Sequence, residues 1–151
     1  MLTLESGQPV SMRAIVERII RIHDTEASRF RIDGPEILLE PQLALALILI
    51  LHEMATNAVK YGALSNERGQ VALAWRLARS TCSPAFRLMW TETGGPPVVP
   101  PRRRGFGRRL IERLLAANAG IATELAFPQT GGVLTIQAPL APMCDLAPSA
   151  A

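Results

Sequence analysis

His52, Glu53, Asn57, Lys60 and Tyr61 fall within one stretch, HEMATNAVKYG, which follows a run of leucine, isoleucine and alanine. On a helix, Glu53, Asn57 and Lys60 or Tyr61 stack at i, i+4 and i+7 or i+8 and share one face, with His52 one position round. A carboxylate, an amide, an ammonium and a phenol on one face form a donor set for a metal–phosphate ligand. The neutral oxygen of Asn57 suits Mg²⁺, which keeps waters and phosphate oxygens as its other ligands. Lys60 supplies a point charge for phosphate and Tyr61 a flat ring for a base or ribose. The same pattern arises where a core helix turns polar on meeting solvent, and taken alone the stretch fits both readings. Lys60 draws notice because every other Lys/Arg cation in the chain is arginine.

Two further segments carry usable chemistry. Trp90-Thr91-Glu92-Thr93-Gly94-Gly95 closes a predicted strand. A carboxylate there can accept a hydrogen bond from an exocyclic amine, and glycines let a flat ring approach the backbone. The plainer reading is a strand ending in a turn, with Trp90 in the core. Gly105-Phe106-Gly107 runs straight into a helix after Arg102-Arg103-Arg104. A glycine-flanked helix N-terminus attracts anions, although an arginine run also serves as a solvated or nucleic-acid-facing patch.

These segments need elements to hold them. Met12, Ile15, Val16, Ile19 and Ile20 repeat with helical spacing over Val10–Ile22. Phe30 and Ile32 alternate with charges and predict a short strand ending at Gly34-Pro35, and Ile37–Leu39 suits another. Pro41–Tyr61 reads as a helix: Leu and Ala favour it, Pro41 is tolerated in the first turn, and Gly62 stops it. Its apolar first half predicts burial on all sides. Val71–Leu77 and Ala85–Glu92 read as paired strands. Gly94–Gly107, with four prolines and four glycines, is a long loop. Arg108–Asn118 is an amphipathic helix, and strands around Ile121–Phe127 and Gly132–Ala138 meet at a Pro-Gln-Thr-Gly-Gly turn. About three helices and five to seven strands predict an α/β two-layer sandwich, a mixed sheet carrying its helices on one face.

The bulk numbers agree. A chain of 151 residues, 48% hydrophobic, with a net charge of +3, suits one globular domain with a single core. Cys82 and Cys144 lack metal-ligand spacing and read as ordinary thiols of a reducing compartment. The start has no secretory pattern. The longest apolar run, Leu43–Leu51, is about half the ~20 residues a membrane span requires. The expectation is a cytoplasmic domain over residues 10–140, with a linker over 1–9 and a flexible tail over 141–151, without membrane insertion.

The order of the three segments resembles the Bergerat ATP-binding fold of the GHKL superfamily. His52-Glu53-Met54-Ala55-Thr56-Asn57-Ala58-Val59-Lys60-Tyr61-Gly62-Ala63-Leu64-Ser65 is similar to the N box of HWE-type sensor histidine kinases. Trp90 to Val98 looks like that family's G1 box and Arg104-Gly105-Phe106-Gly107 like its G2 box. The similarity runs from about Ser6 to Leu140. It implies a mainly antiparallel sheet, and a role for each residue. Asn57 would coordinate Mg²⁺ bridging the phosphates of ATP, with Glu53 near the metal, helping to deprotonate or orient the nucleophile. Lys60 would face phosphate and Tyr61 the nucleoside. Glu92 stands where most GHKL proteins have the Asp that bonds the adenine amino group, with Gly94 and Gly95 beneath the ring. Pro96–Arg104 would be the ATP lid and Gly105–Gly107 its hinge. His52, a family marker, serves either catalysis or a structural hydrogen bond.

A sensor kinase also needs a phosphoacceptor histidine in an acidic-Arg context on a dimerisation helix. His23, the only other histidine, lacks that context and reads as a surface residue. The resemblance therefore implies a catalytic domain acting on an acceptor-histidine domain of the same or a partner kinase. It would serve a response regulator indirectly, dimerise through segments outside this chain, and be unable to phosphorylate itself alone. A stand-alone GHKL nucleotide switch, like an anti-sigma factor, is the alternative. Nucleic-acid binding through Arg102–Arg104 is disfavoured, since only 5% of residues are aromatic.

Overall fold

The computed structural model describes residues 7–23, 29–78, 85–97, 113, 121–126, 128 and 131–139. The first helix, α1 (Met12–His23), buries Met12, Ile15, Val16, Ile19 and Ile20, the stripe its apolar spacing dictates. It begins two residues later than that spacing suggests. Val10–Ser11 (β1) instead pairs antiparallel with Leu38–Leu39 (β3). Ser11 Oγ then accepts the Ala14 N–H at 3.3 Å, satisfying one open donor of the first turn.

The second helix, α2 (Pro41–Lys60), starts at a proline that has no amide to waste there. It ends where the N–H groups of Tyr61 and Gly62 bond the carbonyls of Asn57 and Ala58, at 2.8 and 3.0 Å. Ala44, Ala46, Leu47, Ile50, Leu51, Met54, Ala55 and Ala58 are buried. Leu45 is 45% exposed, so α2 keeps an outer side despite its apolar composition. By length and composition alone α2 could cross a membrane. Its buried residues other than Ala46 join the same core as the sheet, which is the place of a central core helix.

Five strands form the sheet: β2 (Phe30–Asp33), β4 (Gln70–Ala78), β5 (Ala85–Thr93), β6 (Ala122–Ala126) and β7 (Val133–Pro139). Their order is β2-β4-β5-β7-β6, with β2 and β4 parallel and the other pairs antiparallel. Burial alternates along β4 at Val71, Leu73 and Trp75, along β5 at Phe86, Leu88, Trp90 and Glu92, and along β7 at Leu134, Ile136 and Ala138. These residues share one core with α1 and α2, while Arg76, Arg87 and Met89 lie on the open face. The fold is thus a two-layer α/β sandwich with a mixed, mainly antiparallel sheet. Of the helix predicted over Arg108–Asn118 only Arg113 is described, with helical backbone. Cys82, Cys144 and the 141–151 tail lie outside the described residues.

Trp75 ties the far end of the sheet to the helical layer. Its indole N–H donates to Pro35 O at 2.7 Å, and the Arg13 guanidinium lies 5.7 Å from its ring centre. Arg13 in turn donates to Gly34 O at 2.8 Å.

Candidate functional site

Strand alternation carries Phe86, Leu88 and Trp90 into the core, and the next inward position is Glu92. It is the one buried ionisable residue among those described, 6% exposed. A carboxylate in such a place needs donors to offset its lost hydration. Glu92 Oε1 accepts the Ala63 N–H at 2.9 Å, and Oε2 accepts the Trp90 indole N–H at 3.2 Å. Ala63 lies just past the end of α2, so this bond joins the polar end of the helix to the end of β5. Gly62 fills the remaining space: a Cβ there would collide with Glu92 Oε1.

The segment linking α2 to β4 is held in place by side chains. Arg29 donates to the carbonyls of Gly69 at 2.7 Å, Ala63 at 3.0 Å and Asn66 at 2.6 Å. Asn66 Oδ1 accepts the N–H groups of Arg68 and Gly69, at 3.0 and 2.8 Å, and its amide donates to Gly94 O at 3.2 Å. Gly94 adopts φ +74°, a left-handed conformation that favours glycine, and Gly95 follows, packed against Ala63. The Gly94–Gly95 turn and the end of α2 therefore form one connected rim around Glu92.

Glu53 is half-buried on α2, while Asn57, Lys60 and Tyr61 are exposed, Tyr61 to 75%. No hydrogen bond or ion pair engages these four side chains among the described residues. His52, unlike them, has a partner on α1. Its Nδ1 is 3.3 Å from Nε2 of His23, the last residue of α1, with ring centres 5.1 Å apart. His23 is thus half-buried against α2 rather than the plain surface residue its sequence context suggests. Burial of the ring, and secondarily the charge of His52, lower its pKa below the ordinary 6.5. Arg104, Gly105, Phe106 and Gly107 lie outside the described residues, as do Arg102 and Arg103.

Sequence reasoning had not assigned parts to Arg29, Ala63, Asn66 or the indole of Trp90. Two of these carried a signal. Period-two alternation puts Trp90 and Glu92 on the same face, and an asparagine before a glycine-containing turn commonly bonds the backbone two residues on. Nothing local marks Arg29, whose carbonyl acceptors among the described residues lie 34 to 40 positions away.

No family model matches the sequence. Over 120 residues, 80% of this chain, it is 38% identical to the blue-light-activated histidine kinase of Brucella ovis. The described fold also superposes on the catalytic domain of histidine kinase ThkA with a TM-score of 0.67, covering 91% of this chain and 99% of that one at 12% identity. Across those 120 residues the chain is a homologue of histidine kinases. The histidine kinase domain of the Erythrobacter litoralis EL346 blue-light-activated kinase is another structural neighbour, with a TM-score of 0.66 and 18% identity, covering 85% of this chain and 58% of that one. These structural likenesses establish a shared fold, that of a histidine kinase catalytic domain. The chain spans about a quarter of the length of the curated relatives it matches, 24% of the Brucella ovis protein.

Proposed function

We propose that this chain is the Mg-ATP-binding catalytic domain of an HWE-type sensor histidine kinase. In that role it passes the γ-phosphate of ATP to a histidine on a separate acceptor domain, as the first step towards a response regulator in the cytoplasm. The observation that carries this reading is the bond from Ala63 N–H to Glu92 Oε1. It supports a single site built from the polar end of α2 and the acidic end of β5, two segments far apart in sequence.

In this reading Glu92 receives the adenine amino group, Gly94 and Gly95 underlie the ring, and Tyr61 faces the nucleoside. Lys60 and the segment Arg104-Gly105-Phe106-Gly107 neutralise and enclose the phosphates. The residues fit Mg²⁺ by donor chemistry. Asn57 offers a neutral oxygen at the exposed helix end, and the Glu53 carboxylate lies one turn back on the same face, neither bonded to another described residue. Bound there, Mg²⁺ would supply positive charge against the phosphate oxygens. Glu53 then orients, or takes the proton from, the attacking imidazole. His52 is better suited to bridging α1 and α2 through His23 than to catalysis.

Calorimetry of ATP binding with and without Mg²⁺ tests the site as a whole. Asn57→Ala and Glu92→Ala should each weaken Mg-ATP binding by about tenfold or more, the scale of one lost charged hydrogen bond or metal ligand. Unchanged affinity in both variants would remove these residues from the site. Incubation of the isolated chain with γ-labelled ATP should leave no acid-labile label on it. A label would contradict the need for a separate acceptor and direct attention to His23 and His52.

A further inference from the structure

Among the described residues Glu92 accepts two protein hydrogen bonds, one on each oxygen. An ionised carboxylate has about four acceptor positions, so about two remain. Where those lone pairs point is set by the two donors, and both donors are themselves held. The Ala63 peptide is gripped from both sides, its N–H by Glu92 and its carbonyl by the Arg29 guanidinium at 3.0 Å. Trp90 is fully buried and packs edge-on against Phe30, with ring centres 6.0 Å apart. Its indole N–H donor is therefore a fixed point inside the core.

From this geometry we infer that Trp90 is a positioning residue for base recognition: its indole N–H orients the Glu92 carboxylate towards the exocyclic amine of adenine. The inference rests on the nucleotide reading given above. Glutamate has one more rotatable bond than aspartate, and so a larger set of carboxylate orientations to suppress. A donor two residues away on the same strand face suppresses them at one oxygen, while Ala63 does so at the other. Trp90, with no exposed surface, acts on the base only through Glu92.

The test combines a change in the protein with a change in the ligand. Trp90→Phe keeps an aromatic ring in the core and removes the N–H. Purine riboside triphosphate keeps the ATP skeleton and lacks the 6-amino group. Calorimetry with Mg²⁺ on the full chain should show wild type preferring ATP over this analogue. Trp90→Phe should weaken ATP binding by about tenfold and leave the analogue within about twofold, so that the preference collapses. Equal weakening of both ligands overturns the proposal, because it marks general damage to the site. Unchanged ATP affinity overturns it as well. Wild type that binds no ATP would instead defeat the nucleotide reading, and this inference with it. If the phenylalanine variant fails to fold by thermal melting, benzothienylalanine at position 90 provides the same test. It has the shape of tryptophan without the N–H.

Discussion

Two buried or half-buried titratable groups, Glu92 and His23, show how differently one fold treats polar side chains. Glu92 sits among apolar residues with a donor on each carboxylate oxygen. Among the described residues the His23 ring meets His52, and burial together with that neighbour's charge favours its neutral form. A histidine whose pKa is lowered on folding binds fewer protons in the native state than in the unfolded one. The stability linked to it is therefore complete above pH 6.5, begins to fall near that value, and is lost as pH drops through the lowered folded value. Thermal melting of wild type and His23→Gln between pH 8 and pH 5 should show the wild type losing more stability on acidification. Parallel curves would mean that the His23–His52 contact contributes nothing to the pH response. Glutamine retains a group able to bond His52, so the comparison isolates the titration.

The α2–β4 connection governs the site at the level of elements. Helix α2 carries Glu53, Asn57 and Lys60 towards the rim, but three carbonyl contacts from Arg29 determine where the following turn lies. Removing that guanidinium leaves carbonyls of Ala63 and Gly69 without a charged donor. Arg29→Ala should cost about 1.5–3 kcal/mol by urea denaturation, within the range for hydrogen bonds to charged groups. Amide exchange at Ala63 and Gly69 should accelerate more than exchange in the middle of α1. A uniform change across the chain would show that Arg29 acts on global stability alone. Lysine at 29 should not restore protection, because a single ammonium cannot reproduce the planar fork that spans three carbonyls.

For the whole molecule, one core joins the sheet to both described helices, and the proposed nucleotide site lies along the rim where α2 and β5 end. A ligand bound at that rim would tie the two layers together and stabilise the native state by mass action. At about 100 times its dissociation constant, Mg-ATP should add about 2.7 kcal/mol. For a chain of this size that corresponds to a rise in melting temperature of roughly 5–10 °C. Fluorimetric melting with ATP and Mg²⁺, against ATP with a chelator, checks both the binding and its metal dependence. A melting temperature indifferent to nucleotide would count against the whole site.

Local physics was legible in the residues themselves. Periodicity of 3.6 marked α1, alternation with charges marked β2, and Leu/Ala propensity with Pro41 and Gly62 marked and bounded α2, because these signals depend only on neighbours in the chain. Residue chemistry likewise marked the α2 polar end and the Glu92–Gly95 turn as candidate pieces of one site. The extent of α2 burial was less legible: its composition is apolar on every side, and only packing leaves Leu45 outward. The same holds for the start of α1, where pairing of Val10–Ser11 with Leu38–Leu39 overrides the helical pattern. Tertiary structure alone decided which distant residues meet. Ala63 and Glu92 are 29 positions apart, as are His23 and His52, and Arg29 reaches Gly69 across 40. Such contacts depend on strand order, register and helix packing together, which no local window of sequence contains.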